Sequence, residues 1–342
     1  MSKKKDVTIY DIAEKLNLSS STISRALKNH HSIGAKTIKK VQKTAKEMGY
    51  TPNIFAASLR SNQTKTIGVL MSRINRPFIS TLISGIEDHA QKKGYNILIA
   101  QSNDSFKNEV EMANALYNSR VSGVICSLAM ETVNTEHFKQ FQDKNIPVVF
   151  VDRTPASINT YKVMIDNYSA GYNATKHLIL QGCERIAHFA GSQHRMIYSE
   201  RRRGYIAALQ DHGITIDEKL IIYFNNLSHE EGVKATKKLL KSSNPPDGIF
   251  TANDTTGVSV IQTAKKMGVK IPEELAVIGF NNDPISSIID PGLSTITHPA
   301  FQMGQTCADQ IIHHLEENSD DQLTSVTFLK TEVLVRESSK RK

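Results

Sequence analysis

The sequence predicts two architectures in one chain. A small all-α helix-turn-helix head comes first, and behind it lies an α/β core of two doubly wound parallel-sheet subdomains. Three observations predict this. Residues 8–29 read as two short helices joined by a tight polar turn. Positive charge is concentrated at that end: residues 1–65 hold 13 Lys or Arg against 4 acids, or +9, whereas the rest of the chain holds 29 against 30, or −1. From Thr66 onward apolar strand-like runs alternate with helical periodicity, and the alternation restarts midway. Such alternation implies parallel sheets covered on both faces, with a cleft where strand C-terminal ends converge.

Thr8 is a natural cap for the first helix, with Asp11 in the reciprocal capping position. Ile9, Ile12, Ala13 and Leu16 follow at three- and four-residue spacing and share one buried face. Asn17 and Leu18 break the pattern, and Ser19 caps a second helix in which Ile23, Ala26 and Leu27 face inward. Ser20, Ser21, Thr22, Ser24 and Arg25 are left outside. Small hydroxyls and a guanidinium suit close approach to a groove, where they reach base edges and phosphates. Taken alone, the same pattern also fits a plain helical hairpin with solvated serines. Residues 35–48 continue as an amphipathic helix, with Ile38, Val41, Ala45 and Met48 on one side and five lysines on the other. Residues 1–50 thus form a three-helix DNA-binding unit, its cationic surface placed for phosphates.

Residues 51–65 read as a linker. Asn53 is an N-cap candidate and the stretch to Arg60 favours helix, yet two turns are too short to persist alone in water, where about 12–15 residues is already marginal. The linker is therefore expected to order only when docked.

In the core, strands are expected at 67–71, 95–100, 123–127 and 147–151, then at 163–165, 185–190, 220–224, 248–251 and 275–279. Helices are expected between them at 78–93, 107–118, 135–143, 169–181, 199–212, 229–241 and 254–267. A last unit follows, strand 294–297, helix 299–317 and a strand over 325–335. The expected division places 66–164 and 294–326 in the first subdomain, 165–293 and 327–338 in the second.

Other chemistries find little support. Cys126, Cys183 and Cys307 are far apart and form no CxxC pair, so neither a disulfide framework nor a zinc site is suggested. No GxGxxG, P-loop, GxSxG or HExxH pattern occurs, which argues against an α/β enzyme. No catalytic, metal or cofactor site is expected. The opening residues hold no apolar run resembling a signal peptide and no stretch suits a membrane span, so a reducing cytoplasm is expected rather than secretion.

Particular residues then carry a family resemblance. Thr8-Ile-Tyr-Asp-Ile-Ala-Glu14, Ser19 with Thr22-Ile-Ser-Arg25, and Gly49-Tyr-Thr-Pro-Asn53 resemble the lactose-repressor/galactose-repressor (LacI/GalR) family. So do Thr66-Ile-Gly-Val69, Val151-Asp-Arg153, Asn253-Asp254 and Leu275-Ala-Val-Ile-Gly-Phe280. The similarity spans essentially the whole chain, with the motifs in the family's order and spacing. It implies a transcriptional regulator whose core is like the periplasmic sugar-binding proteins, acting as a homodimer, or a dimer of dimers, on double-stranded pseudo-palindromic operator DNA. The end of the chain carries no leucine heptad, which disfavours a tetramer built on a C-terminal coiled coil.

The resemblance implies base contacts from Ser20, Ser21 and Arg25, with Ser19 and Thr22 beside the backbone. It places phosphate contacts at Thr8, Tyr10, Ser24 and Asn29. In the linker, Asn53 matches a helix-start asparagine, Ala56 a close-approach position and Leu59 a leucine that wedges into the central minor-groove step. Two symmetry-related leucines unstacking one step would kink the duplex, the cost being returned by wider contact. Effector contacts are implied at Ser72, Phe78, Asp152, Arg153, Arg201, Asn253, Asp254 and Asn281. Asn281 departs from the aspartate of many relatives: an amide keeps an acceptor, adds donors and loses the charge. Arginines, amides and carboxylates together suit a sugar or sugar derivative, with a nucleobase-responsive or co-repressor-dependent regulator as the alternative.

Overall fold

The computed structural model describes residues 7–50, 64–155, 158–317 and 325–341, in two compact units divided after Thr64. In the first unit Thr8 and Asp11 form the reciprocal cap that starts α1 (Ile9–Leu16). Asn17 ends α1 in the left-handed region, at φ 50°. Ser19 caps α2 (Ser20–Leu27) through Thr22 N–H. Helix α3 (Ala35–Glu47) follows, and Gly49 at φ +68° turns the chain away. Ile12, Ile23, Ala26, Val41 and Ala45 close the core of this unit. The Asn53, Ala56 and Leu59 expectations lie outside the described residues.

The second unit contains two six-stranded sheets. The first holds β1 (Thr66–Met71), β2 (Asn96–Gln101), β3 (Gly123–Cys126), β4 (Val148–Val151), β5 (Tyr161–Ile165) and β11 (Val326–Leu329). Its order is β11-β5-β4-β3-β1-β2, parallel throughout. The second holds β6 (Ile186–Ala190), β7 (Ile221–Tyr223), β8 (Gly248–Thr251), β9 (Ala276–Asn281), β10 (Ser294–Thr297) and β12 (Val333–Leu334). Here the order is β12-β10-β9-β8-β6-β7, with only the β10–β12 pair antiparallel. The helices are α4 (Pro77–Lys92), α5 (Phe106–Asn118), α6 (Lys139–Gln142), α7 (Asn167–Leu180), α8 (Met196–Asp211), α9 (His229–Leu240), α10 (Asp254–Lys266), α11 (Ile285–Ile288) and α12 (Ala300–Glu317). The expected helix over 135–143 is a 3-10 turn at Glu136–Phe138 running into α6, a geometry that buries both Phe138 and Phe141. The short α11 has no counterpart in the sequence reading.

Two boundaries differ from expectation. β10 pairs with β9 in the second sheet rather than belonging to the first subdomain. The expected strand over 325–335 is two strands, of which β11 joins β5 and β12 joins β10. The chain therefore crosses between subdomains three times: after β5, after β10 and after β11. Each subdomain also contains a tight helix crossing closed by glycines. A Cβ on Gly85 of α4 would collide with Phe301 O of α12, and one on Gly171 of α7 with Arg201 O of α8. Among the described residues no helix is long and apolar enough to cross a membrane, and the three cysteines are buried and free.

Candidate nucleic-acid interface and ligand cleft

The face of the head is built by two caps. Ser19 Oγ accepts from Thr22 N–H at 3.1 Å and lies 2.8 Å from the hydroxyls of both Ser21 and Thr22. Thr8 Oγ1 accepts from Asp11 N–H and donates to its carboxylate, so this hydroxyl too is engaged in capping. Among the described residues Ser20, Ser24 and Arg25 make no side-chain hydrogen bond, and Arg25 is exposed. Tyr10 is 62% exposed, unusual for a residue whose ring is apolar. Asn29, at φ 53°, is exposed and accepts from Gln42 Nε2 at 2.9 Å. Lys36, Lys39, Lys40, Lys43 and Lys46 are exposed on α3. The head therefore presents hydroxyls, an aromatic and cations that its own fold does not consume.

In the core, one cleft gathers side chains from the C-terminal ends of strands of both sheets. Ser72 follows β1, Asp152 and Arg153 follow β4, Asn253 follows β8, and Asn281 ends β9; Phe78 opens α4 and Arg201 sits on α8. Seven of the eight expected effector residues thus line it. Asp254 does not: it is fully buried, accepting from Thr295 Oγ1 at 2.7 Å and from Asp283 N–H at 2.7 Å. It begins the helix that Asn253 caps, and one helical step of about 100° turns it away from the cleft. Burial pushes its carboxyl up to about 8. Asn253 is itself occupied, with Oδ1 accepting from Thr256 N–H and Nδ2 donating to Leu227 O.

Arg201 anchors the floor. Only 3% exposed, it donates from Nε to Asn167 Oδ1 and from Nη1 to Ala252 O, both at 2.9 Å. Its guanidinium lies 3.5 Å from the centroid of the Phe280 ring. Burial lowers its pKa to about 10, which leaves it cationic at neutral pH. Asp152 is buried with its carboxyl raised by desolvation, against the pull of Arg153 and Arg201.

The sequence reading missed three groups of lining residues. Asp104, after β2, accepts from Arg73 Nε at 2.8 Å and from Arg153 Nη1 at 2.6 Å. His298, after β10, stacks on Phe78 with centroids 4.0 Å apart and lies 3.2 Å through Nδ1 from Asn281 Oδ1. Tyr198 adds a ring 5.6 Å from the Arg201 guanidinium. Asp104 and His298 follow strand C-termini, the position from which they reach the cleft. Asp104, Asp152, Leu227 and Asn281 hold φ of 65°, 60°, 50° and 109°, a concentration of sparsely populated backbone at one site. At the rim, His194 Nε2 and Arg195 Nη2 of the second subdomain each bond Met130 O of the first at 2.7 Å, and Arg195 also reaches Thr132 O. These bonds bridge the two subdomains at the rim. Among the described residues no cluster suits a metal ion.

Comparison with known proteins covers both units of the chain. Residues 8–53 match the family model of bacterial regulatory proteins, lacI family, and residues 64–332 that of periplasmic binding proteins and sugar binding domain of LacI family. The chain is 33% identical to the HTH-type transcriptional regulator DegA of Bacillus subtilis, covering 87% of this chain and 88% of DegA. It is 29% identical to catabolite control protein A of Priestia megaterium, over 98% of this chain and 100% of that one. A structure of the lac repressor dimer bound to operator and the anti-inducer ONPF has the same fold, with TM-score 0.87 at 22% identity over 98% and 99% of the two chains. A LacI family transcriptional regulator from Enterococcus faecium with bound ribose gives TM-score 0.71 at 27% identity, over 81% of this chain and 99% of that one.

Proposed function

This chain belongs to the LacI family of DNA-binding transcriptional repressors with an effector-binding core, and on that premise we propose that it acts as a cytoplasmic homodimer on a pseudo-palindromic operator, released by a small sugar-like effector. The observation that carries the reading is the outer face of α2. Ser20, Ser24 and Arg25 are idle in the fold of a head whose neighbouring helix α3 exposes five lysines. Ser20, Ser21 and Arg25 read base edges, while Tyr10, Ser24, Asn29 and the lysines hold phosphates. Thr8, Ser19 and Thr22 contribute by fixing the helix starts from which these groups project.

The core supplies control. Seven expected side chains converge in a cleft whose two walls belong to different subdomains, so a ligand touching both favours the closed arrangement. Such a ligand shifts operator affinity only by its differential affinity for the two states. Ribose in a relative's structure supports a sugar-like effector. In the linker, Leu59 and its dimer mate wedge the central step, and closure separates them. The test is duplex binding by the full chain across ionic strength. Counterion release requires log K to fall linearly with log salt, by about 0.9 per phosphate neutralised. Binding indifferent to salt, or no binding, overturns the proposal.

A further inference from the structure

We propose that the effector is an anionic polyhydroxy compound, a sugar acid or a sugar phosphate, whose charged group lies against Arg153 and Arg201 and one of whose hydroxyls bridges Asp152 and His298. This rests on the reading of the cleft as an effector site and narrows it to a chemical class.

Two buried polar atoms bordering the cleft have no hydrogen-bond partner: Arg153 Nε and His298 Nε2. Buried polar groups are nearly always paired, so each points to a group that a ligand brings. They ask for different things. Arg153 Nε is a donor and requires an acceptor oxygen. The His298 side chain is 98% buried, and its Nδ1 lies beside the Asn281 carbonyl oxygen, to which it donates. Nε2 of the neutral ring is then a bare acceptor. It stands 3.9 Å from Asp152 Oδ1, too far for a direct hydrogen bond. An oxygen placed to one side of the line joining them would lie at hydrogen-bond distance from both, which is the demand a ligand hydroxyl meets. The Phe78 ring stacked on His298 supplies the apolar side on which a sugar ring rests.

The charge balance separates an acid from a neutral sugar. Four guanidinium groups, Arg73, Arg76, Arg153 and Arg201, face three carboxylates, Asp104, Asp152 and Asp283. Asp104 is taken by Arg73 and Arg153 together. Arg201 forms no ion pair among the described residues; its hydrogen bonds go to an amide and a backbone carbonyl. Arg201 feels the Asp152 carboxylate without pairing to it, and burial raises that carboxyl, so the buried cation is only partly compensated. A neutral sugar would satisfy the donors of Arg153 and Arg201 and add nothing to that compensation. A carboxylate or phosphate satisfies both, and the guanidinium fork matches either.

The test uses the full chain and matched pairs: D-glucuronate against D-glucose, and D-glucose 6-phosphate and D-ribose 5-phosphate against the parent sugars, with inorganic phosphate as the bare anion. Calorimetric titration is expected to show at least one charged member binding about tenfold or more tighter than its neutral partner, with inorganic phosphate weaker than that member. Preference within the glucuronate pair identifies a sugar acid, preference within the phosphate pairs a sugar phosphate. Arg153→Gln should bring the charged-to-neutral ratio down about tenfold, whereas His298→Gln should weaken both members alike and leave the ratio unchanged. If Arg153→Gln does not fold, the wild-type ratio and His298→Gln still decide. Neutral members binding as tightly as charged ones, or no charged probe binding while duplex binding persists, overturns the inference and leaves the regulator reading standing. Loss of duplex binding in the wild-type chain overturns that reading instead.

Discussion

The outer face of α2 and the floor of the cleft hold their functional side chains in opposite ways. Arg25 is exposed and forms no side-chain hydrogen bond or ion pair among the described residues. Arg201 is buried, donates to Asn167 and Ala252, and stacks on Phe280. In the head the scaffold is built by Ile12, Ile23, Ala26, Val41 and Ala45, and the reading face is spare. In the core the lining and the scaffold share residues: Asn253 caps α10, and Asp104 joins the β2 end to Arg73 and Arg153. Recognition and stability should therefore separate in the head and remain coupled in the core.

The largest effect expected from this contrast is on stability in the core. Arg201→Ala leaves Asn167 Oδ1 and Ala252 O unpaired and uncovers Phe280, which should cost about 2–4 kcal/mol. Thermal unfolding reads it directly, and an unchanged melting temperature would break the claim that this arginine is structural. In the head, Arg25→Ala should weaken duplex binding by about 1–3 kcal/mol and relax base preference at one position. Its melting temperature should stay near wild type, because surface changes away from caps and cores shift stability by only about 0.5 kcal/mol either way. A destabilised Arg25→Ala would remove the contrast.

A smaller effect concerns pH. Asp254 holds its proton up to about 8 because it is buried, so the native state binds that proton more tightly than the unfolded chain does. Stability from this group is present below the ordinary carboxylate range and is lost as pH rises from about 4 to about 8. His188 works the other way. Burial lowers its pKa to about 3, so stability is lost as pH falls from about 6.5 toward 3. The two contributions offset each other between about pH 4 and 6.5, so melting temperature should be level there and fall from about 6.5 to about 8, and Asp254→Asn should flatten that alkaline limb by a few degrees. An alkaline limb that survives Asp254→Asn unchanged would assign it elsewhere.

The same contrast explains what could be read without coordinates. The head is local: Thr8 with Asp11 and Ser19 with Thr22 are spaced by single helical turns, so its caps and helix bounds follow from neighbouring residues. Most core strands were legible for the same reason. The subdomain crossings were not, because the β10–β9 and β11–β5 pairings join distant residues and an apolar strand reads alike in either sheet. In the cleft, family motifs located Ser72, Phe78, Asp152, Arg153, Arg201, Asn253 and Asn281. Asp254 carried the right chemistry one position too far along its helix. Asp104 and His298 lie in turns whose importance appears only when the strands are side by side. Asn53, Ala56 and Leu59 remain proposals of the linker.

The central claim, that the spare face of α2 reads DNA as one half of a dimer, is tested most directly by selecting duplexes from a randomised library with the full chain. The account predicts enrichment of two half-sites related by a dyad, with Arg25→Ala losing preference at symmetry-related positions of both. Enrichment of a single asymmetric site, or of no sequence at all, would contradict it.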